Sequence, residues 1–287
     1  MKILKTIPLT ALLMIVLAGP AMAAQPRVAL GTAGSYAVLA GETITNTGPT
    51  TITGNVGLSP GSSVTGFASV TLHGTKNVAN AAALKAKNAL TSAYNDAAGR
   101  TPKTNVPTEL GGTTLKAGVY SSDTLGLTGT LTLDAEGNSN AVFIFQAGST
   151  LITAPASNVT LINGASACNV YWQVGSSATL ATSTQFVGTI LALTSIALET
   201  GAKLQGRALA RNGAVTLDAN VITTAGCTTG GGGSGGGATQ PPTDTLDATV
   251  GQSTAAILPQ VVGLLILMSI TVLGSLRLAA ARSRSGG

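Results

Sequence analysis

The fold is decided by two consecutive stretches of similar length, FVGTILALTSIALETGAKL (186–204) and QGRALARNGAVTLDANVI (205–222). A third copy, NVYWQVGSSATLATSTQ (169–185), precedes them. β-like segments that recur with a period near 20 residues are typical of a solenoid, in which each copy forms one coil. The copies align on one leucine each, at spacings of 18 and 19 residues: Leu180, Leu198 and Leu217.

A coil of about 18 residues has room for three short strands and three corners, which predicts a triangular β-solenoid. Side chains alternate along a strand, so Ile196 and Leu198 are predicted to point inward and Ala197 and Glu199 outward. Stacked coils would then bury continuous hydrophobic columns. An ordinary β-sandwich with chance similarity is the alternative. A second predicted column consists of Trp172, Ile190 and Ala208.

A looser copy of the repeat lies upstream. The stretch VFIFQAGSTLITA (142–154) aligns with VYWQVGSSATLAT (170–182) when one gap is allowed. This alignment predicts that Leu151 lies in the same column as Leu180.

One segment has a different character, because residues 76–98 are rich in alanine and are closed by Gly99. Alanine favours a helix and glycine favours its end. We predict a helix that lies flat on the solenoid, on outward Leu191 and Leu209. Its contact face is predicted to consist of Ala83, Ala86, Leu90, Ala93 and Ala97.

Both ends of the chain are predicted to lie outside the solenoid domain, residues 24–228. Residues 1–23 have the basic start, apolar run and small-residue end of a signal peptide. Residues 229–255 are a Gly- and Pro-rich linker. Residues 256–276 are apolar and long enough to cross a bilayer, and the basic residues 277–287 would hold that end in the cytoplasm.

The net charge of +5 belongs to these ends and not to the domain. Charged residues make up only 9% of the chain, so the domain has no basic footprint for nucleic acid. We expect an exported, cell-surface protein that acts as a monomer. The excess positive charges are Lys2, Lys5, Arg277, Arg282 and Arg284.

The chain contains two cysteines, Cys168 and Cys227. Export permits a disulfide between them, which would pin the end of the last repeat. Two thiols and the single histidine, His73, cannot fill a zinc shell, so no metal site is predicted.

Catalytic chemistry has little support in this sequence. Only Glu199 and Asp218 are predicted to lie in adjacent coils, about 5 Å apart. Such a pair suits a glycosidase or a calcium site, but an exposed edge with solvated acids near Lys203 and Arg207 is the preferred interpretation. The run GGGGSGGG lacks the Lys-Ser/Thr of a phosphate loop. We therefore predict no catalytic residue and no cofactor.

The unusual feature is a set of threonines at repeating positions. One predicted column holds Thr150, Thr179, Ala197 and Thr216. Hydroxyls and methyls that repeat at about 4.8 Å along a solenoid can hold ordered water, although threonine also simply favours strands. A second predicted column holds Thr153, Thr182 and Thr200.

Three stretches of the chain resemble the microbial ice-binding protein family. They begin LGTAGSYAVLAGETITN (30–67), TLDAEGNSNAVFIF (132–153) and ACNVYWQVGSSATL (167–223). The resemblance covers residues 28–224 and includes the helix. It implies an all-β fold, a discontinuous right-handed parallel β-solenoid of triangular section with one long helix alongside, and no need for a cofactor.

The resemblance also implies a ligand, the ice crystal surface. Many family members carry a T-A/G-x-T/N motif at a corner of the ice-binding face. The similar positions here begin at Thr153, Thr182 and Thr200, with Ala, Gln or Lys at the fourth place. The predicted ice-binding residues are Thr153, Thr179, Thr182, Thr184, Thr200, Ala202 and Thr216.

We therefore predict an exported, membrane-tethered protein that adsorbs to ice through a flat Thr/Ser/Ala face. It would inhibit ice growth or recrystallisation, or attach the cell to ice. One alternative is a cell-surface adhesin or structural solenoid for another ligand. The other is a polysaccharide-active enzyme that uses Glu199 and Asp218.

Overall fold

A computed structural model describes residues 25–224. The strands are numbered β1 to β22 in chain order, and every strand pairing between them is parallel. Most coils contribute one strand to each of three faces. The first, the helix face, consists of β1 (Tyr36–Ala40), β4 (Asn55–Leu58), β7 (Lys76–Val78), β8 (Thr104–Asn105), β10 (Gly118–Ser122), β13 (Phe143–Ala147), β16 (Val170–Val174) and the second halves of β18 (Gln185–Ala192) and β20 (Lys203–Ala210).

The second face, here called the hydroxyl face, is a separate seven-stranded sheet. Its strands are β2 (Thr43–Thr47), β5 (Ser63–Thr65), β11 (Leu125–Leu127), β14 (Leu151–Thr153), β17 (Ala178–Leu180), β19 (Ile196–Leu198) and β21 (Val215–Asp218).

The third face, here called the mixed face, joins the helix face through β18 and β20, which bend around the shared corner. Gln185 at the start of β18 pairs with β15, whereas Thr189 in its second half pairs with β16. The other strands of the mixed face are β3 (Thr50–Thr53), β6 (Val70–His73), β9 (Thr114–Lys116), β12 (Thr130–Asp134), β15 (Asn158–Ile162) and β22 (Val221–Thr223).

The solenoid is discontinuous, as the family resemblance implies. The coils of the N-terminal chain stack on the last C-terminal coil, because β1 pairs with β20, β2 with β21 and β3 with β22. We call this junction the seam. The N-terminal and C-terminal parts of the domain are therefore joined by backbone hydrogen bonds on all three faces.

The predicted hydrophobic columns are confirmed. Leu180 pairs with Leu198, which pairs with Leu217, and all three are fully buried. The column of Trp172, Ile190 and Ala208 is present in the same way.

The prediction for Leu151 is wrong by two residues. Leu151 pairs with Ala178, so Thr153 takes the inward place next to Leu180. The sequence alignment matched one leucine with another by inserting a gap. In the structure, paired residues of these two coils keep the same sequence separation along the whole stretch, without a gap. Thr153 can then take the inward position, because a threonine is tolerated inside when its hydroxyl is hydrogen-bonded.

The helix, α1, spans Ala81–Gly99 and begins five residues later than predicted. Residues 76–78 pair with β4 as strand β7, and the side chain of Asn80 caps the helix by accepting a hydrogen bond from the amide of Ala83. The predicted contact face is confirmed, since its five residues are fully buried: Ala83, Ala86, Leu90, Ala93 and Ala97.

Helix α1 covers the helix face. Its small residues pack on outward side chains that include Leu191 and Leu209, as predicted. The Lys87 ammonium donates to the carbonyl oxygens of Ala210, at 2.6 Å, and Arg211. Burial, together with the nearby Arg211 cation, lowers the pKa of Lys87 to about 8.

Three short 3-10 helices complete the described chain: Gly31–Ser35, Phe67–Ser69 and Ala167–Asn169. Within residues 25–224, no helix combines the length and apolar character needed to span a membrane. The predicted signal peptide (1–23), linker (229–255), membrane segment (256–276), basic tail (277–287) and Cys227 lie outside the described residues, and remain predictions.

Candidate ligand-binding face

Two of the three faces are open to solvent, and they differ in charge. Helix α1 excludes a large ligand from the helix face. The mixed face carries long polar and charged side chains that project from its strands. The exposed ones are His73, Lys116, Gln185, Lys203 and Gln205.

The hydroxyl face presents short side chains in register. Its central outward column is uncharged and contains one large apolar side chain, Ile152, which is 53% exposed. In stacking order, the column is Gly126, Ile152, Thr179, Ala197, Thr216, Thr45 and Thr65.

A parallel column lies two residues earlier along each strand, and it is also uncharged. Backbone hydrogen bonds between neighbouring coils set its order, such as that from the amide of Ala178 to the carbonyl of Ser195. Together the two columns form an array of hydroxyls and methyls that repeats at about 4.8 Å. The second column holds Thr150, Ser177, Ser195, Ala214, Thr43 and Ser63.

The array is densest at the seam, where the N-terminal strands contribute. Thr45 lies between Thr216 and Thr65, and the Thr65 hydroxyl donates to Oγ1 of Thr45 at 3.3 Å. Thr45 and Thr65 are not among the binding residues predicted from the sequence. The alternation in TITNT (43–47) marks a strand with threonines on one side, but no local pattern shows that this strand joins β21.

The structure places the predicted binding residues in three environments. Thr179 and Thr216 lie on the hydroxyl face, as predicted. Thr182 and Thr200 are exposed at the corner between the hydroxyl face and the mixed face. Thr150 lies outside the Thr179 column, because Ile152 is the residue that pairs with Thr179.

The remaining three predicted residues are buried and cannot contact a flat ligand. Thr153, Thr184 and Ala202 are 3%, 0% and 0% exposed. The Thr153 and Thr184 hydroxyls lie 2.9 Å apart, and Thr153 also accepts a hydrogen bond from the Ala181 amide. Thr153 and Thr184 stabilise the corner by hydrogen bonds inside the core. At these two positions, the repeating threonine therefore reflects packing in the core and not contact with a ligand.

Glu199 and Asp218 lie opposite each other, in a shallow depression at the edge of the hydroxyl face. The depression is also lined by Thr47, Thr200 and Ala197. The Thr200 hydroxyl donates to Asp218. Among residues 25–224, no three His, Cys, Asp or Glu side chains are grouped closely enough to hold a metal ion.

Comparison with known proteins gives a consistent picture. Residues 38–223 match the profile of a family described as ice-binding-like. An ice-binding protein of Nostoc sp. (strain HG1) is 51% identical over 68% of this chain and 74% of its own length. One of Colwellia sp. is 38% identical over 72% of this chain and 88% of its own.

Solved structures agree with the sequence comparison. The crystal structure of an ice-binding protein from an Antarctic biological consortium superposes with a TM-score of 0.69 at 48% identity. The superposition covers 69% of this chain and 91% of that one. The DUF3494 domain of ice-binding protein 1 from Shewanella frigidimarina gives a TM-score of 0.65 at 31% identity, over 69% and 98% of the two chains.

Proposed function

Because the chain belongs to the ice-binding-like family, we propose that it binds ice through the hydroxyl face and inhibits ice growth or recrystallisation. One observation carries the choice of face. Two adjacent columns of uncharged side chains, short except for Ile152, run in register along seven parallel strands, on a face that no other element of residues 25–224 covers.

The mechanism is adsorption of an ordered water layer together with the face. Threonine hydroxyls anchor water by hydrogen bonds, and the neighbouring methyls limit how that water can turn. A repeat fixed by strand spacing gives the water a regular order that an ice surface can continue. Ice growth is then pinned between the adsorbed molecules.

The mixed face suits this role less well. The ammonium group of Lys203 and the amide of Gln205 project from the sheet. They bind water strongly, and they orient that water independently of the strand repeat. On the hydroxyl face, the acids Glu199 and Asp218 are confined to one edge. The two central columns therefore offer the more even surface.

Export and attachment to a membrane form part of the proposal, and the sequence of residues 1–23 and 256–276 supports them. The position of Thr224 is compatible with such attachment. Thr224 follows β22 at the corner between the mixed face and the helix face, where its amide donates to the carbonyl of Thr53. That corner is opposite the hydroxyl face.

The direct test is thermal hysteresis and ice recrystallisation inhibition by purified residues 24–228. Both activities are expected at concentrations where an unrelated protein has none. Absence of both, together with binding on a glycan array, would favour an adhesin for another ligand. Release of sugar reducing ends that is lost in Glu199→Gln would favour an enzyme.

A double substitution at the corner measures how far the contact surface extends. In Thr182→Tyr/Thr200→Tyr, two bulky rings project at the border of the hydroxyl face, so recrystallisation inhibition should fall while the fold is retained. Because both positions are exposed, the melting temperature should change little. Unchanged inhibition would restrict the contact to the central columns.

A further inference from the structure

Ile152 interrupts the hydroxyl face. It is a large apolar side chain in the central column, and it is 53% exposed. The four positions that surround it on this face are all only half-buried: Gly126, Thr150, Ala154 and Thr179. The Ile152 side chain therefore stands above its neighbours.

The height of this projection follows from covalent geometry. Isoleucine and threonine both branch at Cβ, but isoleucine carries one further carbon, Cδ1. That carbon adds up to one C–C bond, about 1.5 Å, above the layer formed by threonine methyls and hydroxyls. Beyond Ile152, the column contains Gly126, which has no side chain, and ends at its partner Glu109. The Glu109 carboxylate accepts hydrogen bonds from the amide and the hydroxyl of Thr128, at 2.8 and 2.9 Å.

Ice presents an extended surface, so one projection affects contacts along the whole column. Ile152 is separated from Thr65 by five strand spacings, about 24 Å. A plane that rests on both residues leaves a gap of about 1.2 Å at Thr179 and about 0.3 Å at Thr45. A gap of about 1 Å already removes up to about half of a dispersion contact. Contact is therefore closest at the seam and weakest at Thr179.

We propose that Ile152 determines how far ice contact extends along the hydroxyl face. It holds the ice surface away from β14 and β17 and confines close contact to the seam strands β21, β2 and β5. This inference rests on the proposed function and deepens it by naming the residue that limits it. A threonine at position 152 would remove the projection and extend close contact to β19, β17 and β14.

The test is thermal hysteresis of the full chain and its Ile152→Thr, Ile152→Ala and Ile152→Phe variants at equal concentration. Threonine and alanine remove the projection and should raise the activity about twofold, whereas phenylalanine enlarges it and should lower the activity. The matched control is Val221→Thr, at an apolar residue that is 42% exposed on the mixed face. Its activity should equal that of the wild type. All four positions of change are exposed, so melting temperatures should change little.

A double variant tests the gap at Thr179 directly. Thr179→Ala should lower the activity of Ile152→Thr but have almost no effect on the wild type, because close contact at Thr179 forms only without the projection. Equal effects of Thr179→Ala in both chains would overturn the inference.

Unchanged or lower activity in both Ile152→Thr and Ile152→Ala would also overturn it, because Cδ1 would then not hold the ice away. Either result in an active wild-type chain would leave the proposed function standing. Absence of activity from the wild type and every variant would instead overturn the proposed function, and this inference with it.

Discussion

Thr45→Tyr is expected to remove most thermal hysteresis and recrystallisation inhibition, with the fold unchanged. Thr45 lies in the central column of the hydroxyl face, between Thr216 and Thr65, and its side chain is exposed. A phenol ring there would stand well above its neighbours and hold the surrounding methyls and hydroxyls away from the ice. Dispersion contacts weaken within an ångström of separation, so the loss extends beyond the substituted residue.

The matched control for this variant is Gln205→Tyr. Gln205 is likewise exposed in the middle of a strand, but on the mixed face. Both variants should keep the circular dichroism spectrum and melting temperature of the parent chain. We expect Thr45→Tyr to adsorb to ice about tenfold more weakly, which corresponds to a loss of about 1.4 kcal/mol of binding free energy. We expect no loss of binding free energy for Gln205→Tyr.

Other outcomes of this pair of variants would place the ice-binding site elsewhere on the solenoid. If Gln205→Tyr abolishes activity and Thr45→Tyr does not, the mixed face binds ice. If neither variant changes activity, the contact surface is away from both strands. Measuring ice-crystal shape alongside activity would show whether a variant has changed the plane that is bound.

The repeat and the helix contact face could be predicted because their signals are local. Leu198 and Leu217 are separated by one coil, and the spacing of Ala86, Leu90 and Ala93 marks one side of a helix. Alternation along a strand gives the inward residues once the strand is identified. These inferences need no knowledge of distant pairing.

The hydroxyl face was predicted only in part, because its densest region joins distant parts of the chain. Thr45 and Thr216 become neighbours through a seam that no sequence period encodes. The opposite error concerns Thr153 and Thr184. Threonine at a repeating position serves an exposed array or a buried hydrogen bond equally well, and only the three-dimensional position distinguishes them.

Asn220→Ala is expected to cause the largest loss of stability, because Asn220 is a fully buried polar residue at the seam. Its Nδ2 donates to the carbonyls of Glu199 at 2.9 Å and Ala202 at 3.1 Å. Its Oδ1 accepts from the Asp218 amide at 2.7 Å. Alanine removes all three bonds and leaves buried backbone groups without these partners, at a cost of about 3 kcal/mol.

Urea denaturation of the wild-type and variant domains would measure this loss, with Asn212→Ala as the control. Asn212 is exposed at another corner, and its replacement should change the free energy of unfolding by no more than about 0.5 kcal/mol. The backbone amide of Asn220 also donates to Oγ1 of Thr50 at 3.0 Å, across the seam.

The hydrogen bonds of the Asn220 side chain hold this backbone amide in place. Asn220→Ala should therefore also speed hydrogen exchange in Thr50–Thr53. Equal stability of the two variants would mean that the seam is held by its strand pairing alone.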